Sequence, residues 1–360
     1  MRSIPCVVPV TAGFSTYPVR YAMTTDELPP RLRCVDGQLV KPNGQKMVLR
    51  GLSFGSWGQD DPVDVAQLVA MGANSVRIAL RWWGCYHSPD VSARDNNAFA
   101  FLSRTHVRHW LDLITAASAA GLWVIPFIDS DCGQNGMQNP QTAQYCDPYG
   151  SFGSRGRNFY TDPSMRKLFT QIVWPAAAAR LRTIARIALL EIHPEPAGDH
   201  DAQYAPLVSK LQRECIEAIR EVDTDTPILL GARKGYDIKL CDEAFLSERT
   251  DCVYTGNLLH QWVMNPEKFD DGLETLVRMR KERGVPIYVQ QMGRKSVDDR
   301  GLHYMRNALD RMAEADVGYA WWQWKQHSQG DESYALNYRD GAGMWNIKAD
   351  EADALTEAWA

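Results

Sequence analysis

The sequence predicts a (β/α)8 barrel, a single α/β domain with an N-terminal β-hairpin in front of it. Three observations predict it: eight short apolar runs rich in Val, Ile and aromatics, helix-period segments between most of them, and a length of 360 residues without internal repeat or linker. Eight strand–helix units over about 250 residues or more are the pattern of this fold. A doubly wound open sheet is the structural alternative. Residues 1–30, rich in Pro and Thr, read as an N-terminal extension and 31–360 as the barrel domain.

The elements follow in order. Residues 35–45 read as a hairpin around Asn43-Gly44, a pair that favours tight turns, and lead into the first strand, 47–51. Asp61 caps a first helix, Pro62 fits its first turn, Val65, Leu68 and Val69 form its inner face, and Gly72 ends it. Strand 74–80 follows, then a helix carrying Val107, Trp110, Leu111 and Ile114 that ends near Gly121. Strand 122–128 contains Pro126, an awkward residue for a central strand because it cannot donate to the ladder. The remaining strands read as 187–192, 227–231, 252–257, 286–291 and 317–322, with amphipathic helices at 207–222 and 271–283.

Composition narrows the function classes. Thirty-nine Lys and Arg against 44 Asp and Glu give a net charge of −5, which does not point to a nucleic-acid partner. No apolar run reaches the roughly 20 residues of a membrane-spanning helix. Twelve Trp, 14 Tyr and 10 Phe suit a surface that grips flat apolar faces such as sugar rings, although aromatics serve cores equally well. The eight Cys form no C-x-x-C pair, and no zinc-site spacing is present. Disulfides at Cys132/Cys146 or Cys241/Cys252 and free thiols are both open.

In a barrel the reactive groups sit at the carboxyl ends of the strands. Strand 187–192 runs into Glu191-Ile-His-Pro-Glu195-Pro196, where two prolines stiffen the backbone around Glu195; a solvated loop glutamate is the plainer reading of that residue taken alone. Three other candidates weaken on inspection. Gly51-Leu-Ser53-Phe-Gly55 fits the G-x-S-x-G of a serine-hydrolase elbow, but residues 56–62 read as loop where that motif needs a helix at once. His106 and His109 lie one helical turn apart without a third ligand. Gly150, Gly153 and Gly156 lack the Lys-Ser/Thr of a phosphate loop, and 130–160 reads as a long loop walling a cleft.

Taken together, five segments resemble glycoside hydrolase family 5, the cellulase family of clan A. They are the entry 35–57, Gly72-Ala-Asn-Ser-Val-Arg77, the Glu191 to Pro196 run, Pro286-Ile-Tyr-Val-Gln-Gln291-Met-Gly293, and Gly318-Tyr-Ala-Trp-Trp322-Gln-Trp-Lys325. The resemblance implies a retaining β-glycosidase in which one carboxyl protonates the leaving oxygen and another attacks the anomeric carbon. It makes Glu195 the acid/base and position 291 the nucleophile position, Arg77 the residue that steadies the nucleophile, and Trp322 a stacking floor. Asp131, His260, Trp262 and Trp324 complete the expected substrate contacts, with His260-Gln-Trp262 a loose match to a strand-six His-x-Tyr.

The departures matter as much. Residue 291 is Gln, whose amide oxygen is too weak a nucleophile to form a glycosyl-enzyme, so the chain is expected to be nearly inactive as it stands. An isosteric Gln in an otherwise intact strand reads as a Glu→Gln replacement that holds substrate; a native Gln in a glycan-binding barrel without turnover is the alternative. A neutral Gln291 also removes a like charge, so Glu195 is expected to titrate lower here than in a Gln291→Glu variant. Pro194 replaces the family's Asn before the acid/base, and Asp131 stands where a strand-three His is usual. The resemblance implies no cofactor, a carbohydrate partner, a monomer, and a secreted or periplasmic protein, while the opening MRSIPCVVPVTAGF is a poor match to a secretory signal.

Overall fold

A computed structural model describes residues 28–55, 60–81, 105–129, 163–192, 194, 205–230, 251–259, 263–295, 299–326 and 334–360. Its centre is a closed barrel of eight parallel strands in sequence order: β3 (Arg50–Phe54), β4 (Ser75–Arg81), β5 (Trp123–Asp129), β6 (Leu190–Glu191), β7 (Ile228–Leu230), β8 (Cys252–Leu258), β9 (Ile287–Met292) and β10 (Gly318–Trp321). The seam closes where β10 pairs with β3, Tyr319 opposite Arg50 and Trp321 opposite Leu52. The (β/α)8 expectation is met, and the open-sheet alternative is not.

Alternation along each strand sorts side chains between two cores. On β4, Val76, Ile78 and Leu80 face outward into the large core under the helices, while Ser75 and Arg77 are buried apart from it. The second core lies inside the barrel near the amino ends of the strands, where Leu49, Ile125, Leu189, Leu229, Val253, Tyr288 and Ala320 meet Leu32, Leu39 and Met47 from the N-terminal segment. That segment contains the hairpin β1 (Arg33–Val35) and β2 (Gln38–Val40), which therefore plugs the floor of the barrel.

The hairpin turn differs from the expected one. It falls at Asp36-Gly37, whose φ values of 47° and 73° suit a two-residue turn of the primed type. Asn43-Gly44 makes the next turn, in which Gly44 donates to Lys41 O at 2.9 Å and Met47 comes back beside Leu39. Pro126 also finds its reason. Val124 bridges Ile187 but Phe127 lies opposite Glu191, so the β5–β6 pairing gains a residue on one side at the point where proline has no N–H to give.

The outer layer consists of α1 (Pro62–Ala70), α2 (Thr105–Ala119), α3 (Pro163–Leu168), a π-helical turn (Phe169–Val173), α4 (Trp174–Leu181), α5 (Ala205–Arg220), α6 (Pro266–Arg283), α7 (Asp299–Glu314) and α8 (Ala349–Trp359). Asp61 caps α1 as expected, and Asp64 returns the bond to the Asp61 N–H in a capping box. Helix α6 starts earlier than its apolar face indicates, because Asn265 caps it and Pro266 takes its first position. The π turn precedes Pro175, which has no N–H to continue the α ladder. A small sheet of β11 (Lys325–Gln326), β12 (Asn337–Arg339) and β13 (Trp345–Ile347) follows the barrel. Cys34 and Cys215 are free thiols, and Cys132, Cys146 and Cys241 lie outside the described residues.

Candidate active site

The centre of the upper barrel is an ion pair. Arg77 projects inward from β4, and its Nε and Nη2 donate to the two carboxylate oxygens of Glu191 on β6 at 2.6 and 2.7 Å. Both side chains are fully buried. The third nitrogen, Nη1, lies 3.4 Å from Ser53 Oγ on β3, and the guanidinium carbon sits 3.7 Å from the centre of the Phe127 ring. Two charges taken out of water cost several kcal/mol each, so the bidentate geometry and the aromatic face are what make the pair tolerable. Just beneath, Tyr288 has its hydroxyl pushed well above the ordinary tyrosine range by burial.

Trp322 follows β10 and is half-buried, with its ring 5.9 Å from the Arg77 guanidinium carbon. The chain approaches closely at that point. A Cβ on Gly55, just past β3, would lie 1.6 Å from Gln323 Oε1, so any larger residue there would have to displace that amide. The serine-elbow alternative stays set aside: Ser53 is a fully buried strand residue beside Arg77, and the next described helix begins at Pro62.

Gln291 stands near the carboxyl end of β9 and is 5% exposed. Asn257, the residue paired with it on β8, donates from Nδ2 to Gln291 Oε1 at 3.2 Å. The amide of residue 291 is therefore held by a neighbouring amide, in a wall that also contains Thr255 and Gln290.

The structure thus brings Arg77, Gln291 and Trp322 to the upper barrel. Trp324 lies elsewhere. It is 0% exposed and belongs to the large core, while its backbone N–H goes to Ser53 O at 2.9 Å. Glu195, Asp131, His260 and Trp262 lie outside the described residues. So do His106's side chain and Gly150, Gly153 and Gly156. The approach to Glu195 is visible: Trp174 Nε1 donates to Ile192 O at 3.0 Å and ties the end of β6 to α4. His109 Nε2 lies 3.1 Å from Asp60 O.

Sequence reasoning missed two partners. Glu191 enters the sequence argument only as the first letter of a motif, and Asn257 does not enter it. The signal for both is a polar residue at an inward position of an otherwise apolar strand, which needs a buried partner to be tolerated there.

Comparison with known proteins completes the picture. The model of the family Cellulase (glycosyl hydrolase family 5) matches residues 40–328. A probable glucan endo-1,6-beta-glucosidase B of Aspergillus fumigatus is 26% identical over 147 residues, which is 41% of this chain and 33% of that protein. The match thus spans about a third of that relative's length. Among solved structures, an endogalactoceramidase superposes with a TM-score of 0.68 at 19% identity, covering 91% of this chain and 84% of that one. The catalytic domain of a mannanase from Streptomyces sp. SirexAA-E gives 0.61 at 17% identity, covering 96% of both chains. An endoglucanase catalytic domain from Thermobifida fusca gives 0.61 at 18% identity, covering 92% and 97%. These likenesses are of fold. The family match, by contrast, runs from the floor hairpin past the last barrel strand and takes in every strand that carries Arg77, Glu191, Asn257 or Gln291. The chain belongs to the cellulase family, glycosyl hydrolase family 5.

Proposed function

We propose that this chain is a β-glycan-directed barrel, one catalytic domain over residues 31–360, whose reacting position is 291. The observation that carries the reading is Gln291 itself, almost buried near the carboxyl end of β9, with its side-chain oxygen held by Asn257. A glutamate there would receive the same Asn257 donor, and its carboxylate would attack the anomeric carbon while Glu195 protonates the leaving oxygen. Water would then release the sugar with retained configuration. The carboxamide does not form that bond, so the chain as it stands holds substrate without turning it over.

The substrate is a β-linked poly- or oligosaccharide or glycoconjugate, cut internally. The names of the similar proteins define the panel that tests this: β-mannan, β-1,4-glucan, β-1,6-glucan and galactosylceramide. Reducing-end release is measured for this chain and for Gln291→Glu. The expected result is release by the variant alone, at least about a thousandfold above the parent, as befits recovery of a nucleophile. Turnover by the parent would place the chemistry on another carboxylate. Two inert proteins that still bind one glycan would favour the other reading, a glycan-binding barrel with a native Gln291.

A further inference from the structure

Strand β9 does not keep the two-residue alternation of its neighbours. Against β8 the pairs run Gly256 opposite Val289 and then Asn257 opposite Gln291, so Gln290 is an extra residue. The other side agrees: against β10 the pairs run Tyr319 opposite Val289 and Trp321 opposite Met292, three residues on β9 for two on β10. Two independent ladders therefore locate the same bulge.

The bulge decides which way residue 291 faces. Val289 and Met292 both lie in the large outer core, although they are three residues apart, which unbroken alternation forbids. Tyr288 is inward, so a regular strand would send 290 and 292 inward and turn 291 out among the helices. With the bulge, Gln291 meets Asn257 instead. The extra residue's N–H goes to a side chain: Gln290 N donates to Thr255 Oγ1 at 3.0 Å, and Thr255 is fully buried.

We propose that Thr255 is the positioning residue for position 291, its hydroxyl accepting the Gln290 N–H and so holding the bulge that turns residue 291 into the barrel. A buried N–H left without an acceptor is costly, so loss of the hydroxyl favours a shift of β9. A small misplacement of a reacting group costs rate out of proportion to its size. The catalytic part of this proposal rests on the reading of 291 as the reacting position.

The test has two arms. In the chain as it stands, amide hydrogen exchange at Gln290 and Gln291 is followed by NMR in Thr255→Val, which keeps shape and loses the acceptor, and in Thr255→Ser, which keeps the hydroxyl. Exchange is expected to quicken about tenfold or more in the Val variant, with the Ser variant like the parent and with amides of β4 and β5 unchanged. In the Gln291→Glu background, Thr255→Val is expected to lower kcat by about ten- to a hundredfold with KM within about threefold, and Thr255→Ser to restore most of it. Thr255→Ala, which adds no bulk, serves both arms should the Val variant not fold. Unchanged Gln290 protection in the Val and Ala variants overturns the proposal whatever the activity. A kcat unmoved by Thr255→Val overturns it as well. If the Gln291→Glu background is inert on every glycan, the reading of 291 falls, and the exchange arm alone decides whether Thr255 holds the bulge.

Discussion

Arg77 and Glu191 lie on strands that do not touch, since β5 runs between β4 and β6, and the arginine reaches across the barrel interior to close the gap. Removing one partner leaves a buried charge uncompensated. Glu191→Ala is therefore expected to cost about 3–5 kcal/mol in urea unfolding, and the double variant Arg77→Met/Glu191→Ala to recover part of that loss. A single-variant loss below about 1 kcal/mol would show that the pair is not the buried linchpin its geometry indicates. Arg77 itself was legible, because it ends a recognisable run on a strand. Its partner was not: the two residues are 114 positions apart, and only the curvature of a closed barrel brings non-adjacent strands within hydrogen-bond reach.

Between β3 and α1 the chain carries a different electrostatic problem. Asp60 is 1% exposed, and burial, followed by the like charge of Asp64, holds its carboxyl well above the usual carboxylate range against the opposing pull of Lys325. Lys325 Nζ is bound to Asp64 Oδ2 at 2.6 Å and also lies 5.2 Å from the centre of the Trp345 ring. Because the folded-state pKa of Asp60 is raised, its contribution is fully favourable below the unfolded value near 3.9 and is lost as pH rises through the folded value. Asp60→Asn is expected to flatten that limb, so that its Tm gains on the parent as pH is raised from about 4 to 8. Parallel Tm curves would show that folding leaves the Asp60 pKa unchanged. The start of α1 was readable, since Asp61, Pro62 and the apolar spacing all agree. The hairpin was readable as an element and not as a turn, because Asp36-Gly37 and Asn43-Gly44 are both good turn pairs and both do turn the chain. The β9 bulge left no trace in the sequence. One extra residue changes the direction of a side chain without changing the composition of its strand.

Over the whole molecule, the barrel was legible because its levels agree: apolar strands recur eight times, amphipathic helices lie between most of them, and Gly72, Gly121 and Gly284 mark three of the helix ends. The C-terminal part repeats nothing and was not anticipated. There α8 packs beside α7, Glu351 makes a fully buried pair with Arg294 at 2.9 Å just past β9, and Trp359 donates to Tyr319 Oη at 3.0 Å on β10. Trp359 also lies against Gly72, at the turn that leads into β4. One helix thus touches β10 and the turn into β4, the two strands that flank β3. Trp359→Ala is expected to cost about 3–5 kcal/mol and to speed amide exchange in β3 and β10 more than in β5 and β7. An even rise across all strands would mean that α8 stabilises the fold without guarding the seam.

That seam also has a consequence in time. On the ribosome β3 emerges first among the barrel strands and waits for β10, and α8, which packs on β10 and on the turn into β4, comes later still. Throughout that interval two parallel edges stay unpaired, each a template for another chain, in a topology whose closing contact is among the longest in sequence. Nascent copies held close together on one message are therefore most exposed to mispairing before the last helix has been made.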